Sequence, residues 1–175
     1  MPESIQLFRV FVATPSDVVE ELQIIEELLG EWNRTQGPNL QARVEFANWK
    51  THSHPAAGDR AQAHINKQVV DKSDLIVALF RGRFGSASGH AASGTVEEIE
   101  RGIKQLKPVM VYFANLPEPI PTQTKTDAAR INKFKKEFGE KALYYSYTSI
   151  GAFEKAFRLH LADSMREQME KHKKS

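Results

Sequence analysis

Three short, dense apolar runs constrain the fold of this chain most: Leu7 to Ala13 (LFRVFVA), Ser73 to Phe80 (SDLIVALF) and Pro108 to Ala114 (PVMVYFA). Each is rich in β-branched and aromatic residues and apolar at successive positions, as a strand covered on both faces should be. Between them the period turns helical. After the first run, Val18, Leu22, Ile25, Leu28 and Leu29 form one stripe, with Glu20, Glu21, Glu27 and Glu31 elsewhere. Thr14-Pro15-Ser16-Asp17 reads as that helix's start, with a threonine cap, proline at the first position and an acid at the third. Gly37-Pro38-Asn39 breaks the chain, and Arg43 to Trp49 makes a strand with Val44 and Phe46 on one face.

The loop Lys50 to Asp59 (KTHSHPAAGD) leads to a helix carrying Ala61, Ile65, Val69 and Val70. A further helix runs from Ser93 to Ile103, with Val96, Ile99, Ile103 and Leu106 expected on the sheet. A proline-rich connection precedes a short basic helix around Ile131, Phe134 and Phe138. Ala142 to Tyr147 is a fifth strand, and Ser149 caps a last helix with Phe153, Phe157, Leu161, Met165 and Met169 four apart. Strands alternating with helices predict an α/β fold, a doubly wound parallel sheet. The common five-strand order is 2-1-3-4-5, with its switch point between strands one and three.

With 175 residues and 41% hydrophobic content, the chain suits one domain, residues 1–165, followed by a basic helix end or tail over 166–175. A net charge of +2, concentrated at Lys171, Lys173 and Lys174, gives no case for nucleic acid. Absence of cysteine excludes disulfides, a thiol nucleophile and thiolate metal ligation. There is no signal-peptide pattern, and no apolar run approaches the ~20 residues of a membrane span. The expectation is a soluble, cytoplasmic domain without membrane contact.

The switch-point order brings the loops Thr14 to Asp17 and Arg81 to Ser93 to one crevice, with Glu98 beyond the third strand in the first turn of the next helix. Gly94 and Gly102 flank Glu98 at helical spacing, leaving space beside its carboxylate. The helix N-terminus favours an ionised acid there. Thr95-Val96-Glu97-Glu98 equally fits a capping box in which Glu98 holds the Thr95 amide; the two roles are compatible. The RGRFGSASG loop, with Gly82 and Gly85, invites an anion held by Arg81 or Arg83, with Arg81 favoured, although it is neither a Walker loop nor G-x-G-x-x-G. Trp49 or Phe84 offers an aromatic face to a ring. His52, His54, His64 and His90 lack the pairing of a metal site, so none is assigned. No G-x-S-x-G elbow supports a serine triad.

Taken in order, VFVATPSD, PAAGDRAQAHINKQVVDKSDLIVALF and SGTVEEIERGI resemble a TIR-like domain of the bacterial type over nearly the whole chain. That resemblance implies a flavodoxin-like 2-1-3-4-5 sheet. It also implies an NAD nucleosidase that breaks the nicotinamide–ribose bond, often in antiviral defence, and is activated by self-association or by a sensor partner. Glu98 matches the catalytic glutamate, and Ser93 or Thr95 its small polar companion. Thr14, Ser16, Trp49, Arg81, Gly82, Phe84 and Gly85 fall where substrate is held. Lys50 to Asp59, with Pro55, Gly58 and Asp59, corresponds to the BB loop of assembly. Asn48-Trp49 stands where many TIR domains carry an aspartate. NAD is the substrate in this reading and no cofactor is needed, because nicotinamide is already a cationic leaving group and one carboxylate suffices to stabilise the oxocarbenium-like charge. Two other classes fit the same residues: a non-enzymatic interaction module, and a nucleoside deoxyribosyltransferase-like enzyme.

Overall fold

A computed structural model of the chain describes residues 2–48 and 52–174. Its strands are β1 (Gln6–Ala13), β2 (Ala42–Ala47), β3 (Leu75–Phe80), β4 (Val109–Ala114) and β5 (Tyr145–Tyr147). They form one sheet in the order β2-β1-β3-β4-β5. All four pairings are parallel, with Phe11 opposite Ala47 and Ile76, and Phe80 opposite Phe113. The fold is flavodoxin-like, with the switch point between β1 and β3 as the sequence predicts.

Strand parity divides the core in two. Phe8, Val10, Val12, Val77, Leu79 and Tyr112 face α1 (Glu20–Thr35) and the long terminal helix, numbered α6 here (Ile150–Lys173). Phe11, Ile76, Ala78, Phe80, Val111 and Phe113 face the helices of the other layer. These are α3 (Ala61–Ile65), which continues into a π-helical turn over Asn66–Val70, then α4 (Gly94–Lys104) and α5 (Lys125–Gly139). Alternate residues of β3 thus enter opposite cores, which is why LIVALF is buried throughout.

The terminal helix follows the sequence reading: Ser149 Oγ accepts from the Ala152 amide at 3.0 Å, and Phe153, Phe157, Leu161, Met165 and Met169 are all buried. Elsewhere the boundaries move. Gly37–Leu40 forms a short helical turn, α2, instead of a plain break. The helix around Ile131 is 15 residues long and capped by Thr124, whose Oγ1 accepts from the Asp127 amide. β5 has three residues in place of six, and Leu143 before it stands in solvent.

Helix α1 starts at Glu20, past the Thr14-Pro15-Ser16-Asp17 turn, and its N-cap Val19 makes no side-chain cap bond. The cause is tertiary. Asp17 Oδ2 reaches across to the loop after β3 and accepts from the Gly82 amide at 2.9 Å, the Arg83 amide at 3.2 Å and Thr122 Oγ1 at 2.7 Å.

On α4, Val96 and Ile99 pack on the sheet as expected, whereas Ile103 is half exposed and Leu106 lies in solvent. Gly102 takes the place beneath them. A Cβ there would lie 2.3 Å from Ile76 Cδ1 and 3.1 Å from Val109 Cγ2, so this glycine serves close helix–sheet packing and not, as expected, open space beside Glu98. Gly102→Ala should therefore lose about 1–3 kcal/mol of stability to overpacking, more than the ~1 kcal/mol alanine gains in helix propensity. Urea unfolding measures it, and an unchanged midpoint would contradict this packing.

Candidate functional site

At the carboxyl edge of the sheet a cleft of about 790 Å³ opens between the loop after β1 and the start of α4. Its polar lining includes Thr14, Ser16, Asn48, Gln62, Thr95 and Glu98, while Val12, Val18, Leu22, Phe46 and Ile65 supply apolar wall. Gly85 and Ser86 contribute the rim from the loop after β3.

Glu98 is only 6% exposed. Burial pushes its carboxyl up to about 7, and the charge of Glu97 adds to this, while a hydrogen bond from Gln62 Nε2 at 3.0 Å opposes it. The helix terminus, expected to favour the ionised acid, does not prevail: desolvation wins, with Glu98 in the second turn instead of the first. The capping reading is also corrected. Ser93 is the N-cap, its Oγ accepting from the Val96 amide at 3.2 Å, so the helix is capped two residues earlier, with valine where a capping box needs Glu or Gln, and Glu98 takes no part in the cap. Ser93 is fully buried and outside the cleft lining, which leaves Thr95 as the small polar neighbour.

The adjacent acid behaves oppositely. Glu97 makes a bidentate pair with Arg60, which stands at the N-cap of α3, and accepts from Asn66 Nδ2 at 2.9 Å. Chiefly through the Arg60 hydrogen bond, its carboxyl is held down at about 2. Two consecutive glutamates therefore have different tasks: Glu97 anchors α4 to α3, and Glu98 stands in the cleft.

Several expected contacts lie elsewhere. Arg81 points away from the cleft, bonding both oxygens of fully buried Glu21 at 3.2 and 3.3 Å and pairing with Glu20 at 3.5 Å. Gly82 is packed tightly, since a Cβ would fall 2.6–2.8 Å from Thr122, Ile120 and Asp17; close packing, not anion approach, requires glycine there. Phe84 is a buried core residue stacked on Phe80, with the Arg130 guanidinium over its ring at 4.5 Å from the centroid, and offers no face to a ligand. Among the described residues, the aromatic of the cleft is Phe46. Trp49 falls outside the described residues. Arg83 is exposed and donates to Ser16 Oγ at 2.9 Å, which sets it at the mouth. Pro55, Gly58 and Asp59 are exposed on the loop before α3, with Gly58 at φ +101°, and none lines the cleft.

Gln62 and Phe46 are site residues the sequence reading did not assign, and Asn48, noted there only as standing where many TIR domains carry an aspartate, joins them in the cleft. A polar residue at the second position of the helix after a long loop is a weak signal for Gln62. No helix among the described residues is long and apolar enough to cross a membrane.

Fold and site together define a flavodoxin-like α/β domain with an acid-walled cleft at its switch point. The chain belongs to the DUF4062 family, a domain of unknown function, whose model matches residues 9–162. No curated protein matches it. Among solved structures it is similar in shape to oxidised flavodoxin 1 from Bacillus cereus, with 10% identity, a TM-score of 0.41, and 92% of this chain and 97% of that one covered. It is also similar to the flavodiiron protein from Giardia intestinalis, with 11% identity and a TM-score of 0.43. That alignment covers 96% of this chain and 38% of the Giardia protein. At such identities and scores neither protein's chemistry bears on this chain.

Proposed function

We propose that this domain is an N-glycosidase acting on NAD, with Glu98 as the catalytic carboxylate. The observation that carries the reading is Glu98 itself: a buried acid, raised to about 7, in the wall of a cleft lined by hydroxyl and amide side chains. A cationic nicotinamide brought against Val12, Leu22 and Phe46 would favour the ionised form of this acid. As the C1′–N bond breaks, its electron pair passes to the ring nitrogen and neutral nicotinamide leaves. The carboxylate stabilises the positive ribose. Water then adds to C1′, and Glu98, titrating near neutrality, takes its proton. Thr14, Ser16 and Thr95 are the hydroxyls for the sugar.

In this reading the TIR resemblance extends to activity, and the exposed loop carrying Pro55, Gly58 and Asp59 serves self-association or contact with an activating partner in a defence response. Arg83 at the mouth, not Arg81, meets the pyrophosphate. Arg83→Ala should weaken NAD binding about tenfold or more, as for a lost hydrogen bond to a charged group, with little change in single-turnover rate because the anion is held alike in ground and transition states. Unchanged affinity would remove Arg83 from the site.

One observation favours a second reading. Among the described residues no lysine or arginine lines the cleft, which suits an uncharged nucleoside cleaved through a covalent sugar ester. Incubation with NAD and, separately, with deoxynucleosides distinguishes the two by which base is released.

A further inference from the structure

The side chains behind Glu98 form a relay whose orientation can be derived from one end. Glu97, held well below the ordinary carboxylate range, is ionised and accepts only. Asn66, buried on the π-helical turn, must therefore turn its Nδ2 to Glu97, which leaves Oδ1 to face back. Gln62, one helical turn earlier, answers with its own nitrogen: Nε2 donates to Asn66 Oδ1 at 3.3 Å and to Glu98 Oε1 at 3.0 Å. The amide oxygen of Gln62 then needs space, and Gly94 provides it, since a Cβ on Gly94 would stand 2.7 Å from that oxygen. The absence of a side chain four residues before Glu98 thus admits the glutamine amide, which itself lines the cleft.

We propose that Gln62 is the positioning residue of Glu98, its amide nitrogen fixing the orientation of the carboxylate in the cleft wall. The placement stands on geometry; its consequence for turnover rests on the N-glycosidase reading. By donating to the carboxylate, Gln62 favours the charged form against burial. Among the described residues, the charged groups of this region include Glu97 on the same helix as Glu98, Arg60 at the head of α3, Glu26 of α1 in the same cleft, and Arg83 at the mouth. Arg60 is engaged by Glu97, so it does not replace the Gln62 donor.

The test is a carbon-13 NMR titration of the Glu98 carboxyl in the full chain, assigned with Glu98→Gln. Gln62→Met keeps length and removes the donor; Gly94→Ala keeps Gln62 and displaces it. Both should raise the Glu98 midpoint, by about one unit for Gln62→Met, with thermal unfolding nearly unchanged. Nicotinamide release at pH 7 should then fall about fivefold in kcat/KM, which follows the ionised fraction of the free protein, and recover at higher pH. A Gln62→Met midpoint within about 0.3 units of wild type overturns the proposal; should that variant fail to fold, Gly94→Ala decides by the same criterion. If wild type releases no nicotinamide while the midpoints move, the N-glycosidase reading falls and the positioning role stands.

Discussion

Glu98→Gln should lower nicotinamide release by roughly a thousandfold or more, the scale of losing the principal electrostatic stabiliser of a transition state, and should at the same time stabilise the fold. The two effects share a cause. In the unfolded chain this carboxyl titrates near 4.5, and in the folded protein near 7. Between those values the folded state binds more protons than the unfolded one, so stability falls as pH rises, and the cost is complete above about 7. Converted at 1.36 kcal/mol per unit, it is on the order of 3 kcal/mol. Glutamine fills the same space, carries no charge, and can still face Gln62. The variant should therefore gain stability over wild type at pH 8 and show little gain near pH 4. Denaturant unfolding at both values, beside the activity assay, checks the pair. A Glu98→Gln protein that turns over like wild type contradicts the assignment; one with no stability gain at pH 8 contradicts the burial.

The second large effect concerns a residue that looks functional from sequence and is structural. Arg81→Ala should destabilise the fold by on the order of 3 kcal/mol, as breaking a buried ion pair does. Glu21 is 0% exposed, and its oxygens are served by Arg81 and by the Tyr147 hydroxyl at 2.7 Å. Truncating Arg81 leaves a buried carboxylate with a single neutral donor. Glu21→Gln in the same protein should recover part of the loss, because a neutral amide tolerates burial better. Arg83→Ala, at the exposed mouth, should change stability by less than about 0.5 kcal/mol. Equal stability of the two arginine variants would contradict this division.

The contrast shows what was legible in the sequence. The sheet was readable because β1, β3 and β4 are buried on both faces, so their composition alone marks them. The position of Glu98 followed from strand, loop and helix in sequence order. β5 was over-read because an edge strand pairs on one side only: its three residues meet Tyr112 to Ala114, and the apolar Leu143 and Tyr144 before them remain outside the ladder. The α4 cap was misplaced because Ser93 and Thr95 are both competent caps two positions apart, and local spacing does not choose between them. The two arginines could not be separated by loop context at all. What decides them, Glu21 and Ser16, lies 60 and 67 positions away in the chain. Gln62 is hidden for the same reason, since its meaning comes from a carboxylate 36 residues later.

The central claim, that this cleft breaks the nicotinamide–ribose bond, is tested most directly by following nicotinamide release from NAD with the pure protein across a hundredfold range of protein concentration. The account predicts release by wild type and none by Glu98→Gln. If the exposed loop before α3 mediates assembly, specific activity should rise with concentration, the range corresponding to about 2.7 kcal/mol of mass action. Absence of nicotinamide at every concentration, with base released from deoxynucleosides instead, would contradict the claim and leave the nucleoside reading in its place.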